Sequence, residues 1–369
     1  MRNYTVYRLT FKTQLHLGRA AEPVQQIRLG LEKTDIYIRA DILFSAICQT
    51  WATFYDTESL TDFLEPYRQD APVLPLLLTS AFPYAHNVYF YPKPLTLRES
   101  QDTPEKVKAK AKKKIKKVQF VSGPLFQQIL SGHLPEFSEA KPMAITLNGE
   151  KVYPMNSEKV WLGAEENKHL KAELPPNNES ENEEINIWTT KILPRVTIGG
   201  QNAGSEIWHI ETLGFNTSCG LWFAAAFDTP ETQQKFETLL RVLGDTGIGG
   251  ERNAGYGMFD VESVKLQLPI VETGGRFVTL SPICPKSSEQ LETLREGDIA
   301  YNLQSVPGWG SKNTNNLHRK NVYLFLEGSV LHSCEARVGR LIDLKLDTST
   351  HPVYRYGYAW HVGIKEASQ

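Results

Sequence analysis

Cysteine is scarce in this chain. Its four, Cys48, Cys219, Cys284 and Cys334, are scattered over 369 residues with no C-x-x-C pair. That spacing offers neither a zinc knuckle nor a disulfide framework, so reduced core thiols, no metal site and no cofactor are expected. Long apolar runs are missing too: nothing approaches the ~20 consecutive apolar residues of a membrane span. The opening Met1-Arg2-Asn3-Tyr4 lacks the apolar stretch and small-residue cleavage site of a signal peptide. A cytoplasmic, non-membrane protein is therefore expected. Excess charge of one sign is also absent, with a formal net charge of -2, so the whole-chain balance does not announce a polyanion partner. An apolar fraction of 41% and a charged fraction of 22% exclude a disordered chain.

The average conceals a local imbalance. Lys106, Lys108, Lys110, Lys112, Lys113, Lys114, Lys116 and Lys117 form a basic block, and an acidic, Asn-rich stretch at 165–184 nearly cancels it. The block lacks leucine periodicity and reads as solvated.

Tyr4 to Phe11 alternates aromatic and β-branched residues with polar ones, as a strand does. From Asp41 the period changes: Leu43, Ala46, Ile47, Thr50, Trp51 and Phe54 recur at helical spacing. Residues 82–147 hold short strand-like pieces around the lysine block and read as a long insertion. Leu174 to Asn186 is too polar to bury and reads as a solvated loop, part of an acidic loop at about 165–186. Strands resume at Glu206 to Leu213 and Leu221 to Phe227. Asp228 or Thr229 caps a helix with Pro230 in its first turn and Phe236, Leu239, Leu240 and Leu243 on one face, stopping at Gly244. A strand from Met258 to Leu266 completes a βαββαβ order.

After Pro269 the pattern restarts, with strands at Phe277 to Leu280, Val322 to Glu327 and Tyr354 to Ile364 and a short helix at Glu289 to Leu294. The expectation is an α+β protein of two ferredoxin-like (RRM-like) domains, residues 1–268 and 269–369, with a glycine-rich loop and an inserted β-hairpin thumb at about 82–147.

The loop Gly244 to Gly257 is the densest glycine segment. A Walker loop needs G-x-x-x-x-G-K-[ST], but Gly249 is followed by Gly250 and Glu251, with no lysine for the phosphates. A dinucleotide fingerprint lies between a strand and a helix, whereas this loop lies between a helix and a strand. Two readings remain. Its amides, with Arg252, Asn253 and the Tyr256 ring, track a phosphate-ribose strand, or the loop is a tight turn that packs protein against protein.

The segment Gly247-Ile248-Gly249-Gly250-Glu251-Arg252-Asn253-Ala254-Gly255-Tyr256-Gly257 resembles the glycine-rich signature of the RAMP superfamily of CRISPR proteins. Leu15-His16-Leu17-Gly18, Ile38 to Ala46, Phe82-Pro83-Tyr84 with Tyr91-Pro92-Lys93-Pro94, Glu327-Gly328-Ser329 and His351 to Gly357 together resemble the branch holding the fourth-named subunit of the type III-A (Csm) effector. The resemblance runs from end to end. It implies a non-catalytic protein that holds the 5′ handle of the crRNA and caps a filament of RAMP backbone subunits. It also implies docking to a large polymerase-like signalling subunit and a thumb that meets target RNA.

The RNA-contacting residues expected on this resemblance are His16, Arg19, Lys93, Arg195, Gly247, Gly249, Gly250, Arg252, Asn253, Gly255, Tyr256, Gly257, Lys312, Arg319, Lys320 and Arg355. Two alternatives stand beside it: a metal-independent endoribonuclease processing crRNA precursor through His16 as general acid or base, and the equivalent type III-B subunit. Asp41 reads as a residue favouring a helix N-terminus.

Overall fold

The computed structural model describes residues 4–18, 33–69, 73–140, 143–174, 186–197, 206–269, 275–306, 322–344 and 353–365. Arg19, Lys312, Arg319 and Lys320 lie outside them.

The first strand, Tyr4–Phe11, is the pivot of the N-terminal part. On one side it pairs antiparallel with Cys219–Phe227, Tyr7 opposite Phe223 and Leu9 opposite Leu221. On the other it pairs with Phe259–Val264. Phe82–Ala85 joins the far side of Cys219–Phe227. With the helices Ala40–Phe54 and Pro230–Thr246 as crossovers, the four strands stand in spatial order 4-1-3-2, the ferredoxin-like arrangement. Tyr7 shows why the layers meet: its ring stacks on Phe223 at 5.3 Å and tilts against Phe236 of the second helix at 5.7 Å. Burial of such aromatics supplies most of the hydrophobic stabilisation at that layer.

The second helix starts as expected, Thr229 accepting from the Thr232 amide at 3.1 Å with Pro230 in the first turn. It runs on to Thr246 rather than stopping at Gly244. Gly244 serves packing, because a Cβ there would lie 2.4 Å from the Phe259 carbonyl oxygen. The stop is Gly247, at φ +81°.

From Phe82–Ala85 the sheet continues through Val88–Pro92, Phe120–Ser122, Val160–Leu162, Glu150–Met155 and Ile145–Leu147 to Pro135–Phe137. The described part of residues 82–147 thus supplies outer strands of this sheet together with two helices. The lysine block is a helix, Glu105–Lys117, which buries Val107, Ala111 and Ile115. Small apolar residues four apart make a face without any leucine. The acidic stretch likewise begins as a helix, Ala164–Glu173, where the Glu166 carboxylate accepts from the Gly163 amide at 2.9 Å and Leu170 is buried. A two-stranded ribbon stands apart from this sheet. Trp188–Thr197 pairs with Glu206–Phe215 as a separate sheet, exposing Ile192, Val196 and Ile207.

In the C-terminal part, Arg276–Thr279 lies between Val330–His332 and His361–Gly363. An Ala300–Val330 bridge brings the segment after the short helix Ser288–Leu294 to the edge, so the order 4-1-3-2 recurs. Among the described residues the second crossover is a hairpin, Gly339–Asp343 with Tyr354–Tyr358, in place of a helix. The closing strand is therefore two strands. The two parts share one core: Phe44 lies 5.0 Å from Tyr356, whose hydroxyl accepts from the Leu78 amide at 3.0 Å.

Candidate nucleic-acid interface

The glycine loop bridges the helix Pro230–Thr246 and the strand Phe259–Val264, against the segment that leaves the first strand. Three of its glycines are dictated by backbone approach. A Cβ would fall 2.4 Å from the Tyr256 oxygen at Gly247, 2.4 Å from the His16 oxygen at Gly249 and 2.0 Å from the Ile248 oxygen at Gly257. Much of the loop's hydrogen bonding is spent on protein: the Gly250 amide donates to His16 O at 2.8 Å, Gly257 to Gln14 O at 2.8 Å and Ile248 to Gly257 O at 3.0 Å. The amide grip suggested by the sequence is correspondingly smaller. What the loop turns outward is Arg252, Asn253 and Ala254, all exposed, the first two polar.

Beside it opens a cleft of about 320 Å³, walled by Gly249, Gly250 and Arg252 on one side and by Ser45, Gln49 and Arg355 on the other. Residues from positions 45 to 355 thus meet in one concavity.

His16 sits beneath the loop with 1% of its surface exposed. Its Nδ1 is 2.8 Å from the Glu211 oxygen on the ribbon, and its Nε2 is buried without a partner. A Cβ on Gly250 would press on its ring at 2.9 Å. The histidine links loop and ribbon from below, not from the cleft surface.

Arg195 projects from the ribbon onto the loop, over the Tyr256 ring. Lys93 is half-buried and donates to Ile115 O at 2.7 Å, closing the C-terminal turn of the lysine helix, and burial pushes its pKa down to about 8. Arg355 lines the cleft but is already engaged, its Nη1 donating to Asp41 Oδ2 at 2.8 Å.

Asp41 proves more than a helix-start residue. It is 3% exposed and also receives Arg39 Nε and Nη2 at 3.0 Å each, and the two guanidinium groups hold its carboxyl below the usual carboxylate range against burial. Next to this pair Glu327 is buried, accepting from Tyr37 at 3.0 Å and from Ser80, and burial raises its pKa. Sequence reasoning missed this network because its members are spread along the chain from Tyr37 to Arg355. The juxtaposed Arg39 and Asp41 were its only local sign.

Residues 8–260 match the family model of the RAMP superfamily. The chain belongs to the RAMP superfamily. Residues 272–364 of this RAMP protein match the CRISPR Csm4 C-terminal domain. It is 26% identical over 331 residues to the CRISPR system Cms protein Csm4 of Thermococcus onnurineus strain NA1, spanning 89% of this chain and 91% of that one. Against the protein of the same description from Methanocaldococcus jannaschii it is 24% identical over 252 residues, 64% of this chain and 62% of the other. Its fold matches a chain of the Csm3-Csm4 subcomplex in the type III-A CRISPR-Cas interference complex, with a TM-score of 0.63 at 18% identity over 98% of this chain and 99% of that one. It also matches a chain of the Csm1-Csm4 cassette in complex with pppApA, with a TM-score of 0.57 at 18% identity over 98% of each. No helix among the described residues is long and apolar enough to cross a membrane.

Proposed function

We propose that this RAMP protein is the Csm4-type subunit of a type III-A CRISPR effector, a cytoplasmic, non-catalytic scaffold that holds the crRNA 5′ handle. It joins a backbone RAMP subunit of the Csm3 kind to the large signalling subunit of the Csm1 kind. The observation that carries the reading is the cleft between the glycine loop and the first helix, which Arg252 lines and beside which Asn253, the next residue of the loop, is exposed. A cation lining a concavity, followed in the loop by an exposed amide, suits a phosphate-ribose strand. The exposed ribbon, with Ile192, Val196 and Ile207 outward, takes the thumb role beside target RNA in this reading. Residues 1–268 and 269–369 act as its two domains, and Lys312, Arg319 and Lys320, together with Arg19, remain candidate contacts. The relatives named Csm4 and the Csm3-Csm4 and Csm1-Csm4 assemblies of similar fold support it.

Reconstitution with the two partner subunits and crRNA tests it. Arg252→Ala with Asn253→Ala should leave assembly intact, expose the handle to nuclease and make the log–log salt dependence of RNA retention shallower by about 0.7. Unchanged handle protection rejects the cleft. Cleavage of labelled precursor by the purified chain, abolished by His16→Ala, would instead make it a ribonuclease. The burial of His16 speaks against that.

A further inference from the structure

The lysine helix Glu105–Lys117 packs against Pro135–Phe137, the strand at the opposite end of the sheet path from the glycine loop. Lys106, Lys110, Lys113 and Lys117 stand at i, i+4, i+7 and i+11, which puts them in one stripe along the helix, and all four are exposed. At ~1.5 Å rise per residue their spacing is about 5 to 6 Å, a row of point charges rather than a patch. Beside the stripe lies a cleft of about 370 Å³, whose charged lining is Lys110, Lys113, Lys114 and Lys117 with two carboxylates, Glu139 and Glu158.

Glu158 is the informative residue. Its two carboxylate oxygens receive Lys114 at 2.5 Å and Lys117 at 2.8 Å. It is also the last of three consecutive non-glycine residues in the left-handed region, Asn156 at φ +53°, Ser157 at +57° and Glu158 at +67°. Such a turn is unfavourable and persists only where its surroundings hold it. Here the buried Asn156 amide does so: Oδ1 accepts from Ile187 at 2.6 Å and Trp188 at 3.3 Å, and Nδ2 donates to Trp188 O at 3.2 Å. A strained turn therefore places one carboxylate across two ammonium groups, in the geometry a phosphate's oxygens would take, while Lys110 and Lys113 stay open to solvent.

We propose that this cleft is a second binding site for a single-stranded RNA backbone, separate from the glycine-loop cleft, in which a phosphate replaces Glu158 between Lys114 and Lys117. A protein partner suits the surface less well. Lysine is depleted in the cores of protein interfaces, where arginine and aromatics are enriched, and this helix contains neither. The site does not depend on the cleft assigned to the crRNA handle, so either can fail alone.

Fluorescence anisotropy of the full-length chain with a labelled oligouridylate, over a salt series, tests it. Lys110→Glu with Lys113→Glu should weaken binding about tenfold or more and make the log–log salt slope shallower by about 1.4, two contacts at ~0.7 each. Glu158→Gln should tighten binding several-fold, and Glu58→Gln, an equal charge change on a distant exposed helix, should leave it unchanged. Arg252→Ala in the same assay reports the other cleft and should combine independently with the lysine changes. Unaltered affinity and slope in the lysine variant overturn the proposal. So does a Glu158→Gln effect no larger than that of Glu58→Gln, or a lysine variant that keeps RNA but loses an acidic protein neighbour.

Discussion

The Arg195 guanidinium carbon lies 5.3 Å from the centre of the Tyr256 ring, and its Nη2 donates to the Tyr256 hydroxyl at 2.7 Å. One residue of the ribbon is thereby clasped to the glycine loop by both stacking and a hydrogen bond. A partly desolvated cation–π contact with a charge-assisted hydrogen bond contributes about 1 to 2 kcal/mol. Arg195→Ala should speed amide exchange in residues 189–196 about fivefold or more, whereas Tyr256→Phe, which keeps the stack, should have a smaller effect. Equal exchange in wild type and Arg195→Ala would show that the clasp does not order the ribbon.

The glycines of the loop are not equivalent. At Gly257 a methyl would sit 2.0 Å from the Ile248 oxygen with φ at +75°, while at Gly255, φ +81°, it would meet nothing within 4 Å. Gly257→Ala should fail to give soluble protein. Gly255→Ala should fold, with a loss of about 1 kcal/mol from backbone strain alone, read from a denaturant melt. A Gly257→Ala chain as stable as wild type would refute the close approach.

Two buried carboxyls at the junction of the two parts should give opposite pH slopes. Asp41 has a folded pKa below its unfolded one, so its stabilisation is complete above the unfolded pKa and is lost as pH falls through the folded value. Glu327 has a folded pKa above its unfolded one, so its contribution is complete below the unfolded pKa and is lost as pH rises through the folded value. Thermal melts across acidic pH should show the high-pH decline vanish in Glu327→Gln. Asp41→Asn, which leaves Arg39 and Arg355 facing each other without their carboxylate, should cost about 3 to 5 kcal/mol at neutral pH. A neutral-pH melt of Asp41→Asn matching wild type would mean the charges are hydrated.

Asn156 ties the strained turn to the base of the ribbon through three side-chain bonds. Asn156→Gly relieves the positive φ but removes those bonds, so the two effects oppose. Leaving the Ile187 and Trp188 amides unpaired in a buried site should dominate, at about 1 to 3 kcal/mol. Faster exchange at those two amides is the expected result, and protection equal to wild type would assign the turn a purely local role.

Much of the N-terminal architecture could be read from residue patterns. Alternation at Tyr4 to Phe11, the apolar stripe from Leu43 to Phe54, and Thr229-Pro230 before Phe236 are each set by residues close in sequence, and the structure has a strand and two helices there. The lysine helix was illegible for a comparable local reason: its buried face is Val107, Ala111 and Ile115, and the surrounding charge masks three modest apolar residues. Which hairpin stands apart was not legible, because a hairpin's strands look alike whether they extend a sheet, as Val88–Pro92 does, or form a separate ribbon, as Trp188–Thr197 does.

The amino-acid order by itself determined that the chain is α+β, that a glycine-dense turn joins a helix to the last strand of a βαββαβ unit, and that Arg252 and Asn253 ride on it. Periodicity and turn chemistry act over a few residues, so they survive in the linear text. Only the tertiary structure decided that the loop's amides are taken by His16 and Gln14, that Arg355 neutralises an aspartate 314 residues away, and that Glu158 bridges Lys114 and Lys117. Which charge meets which carboxylate in a desolvated site depends on how distant segments pack, and no local pattern encodes that distance.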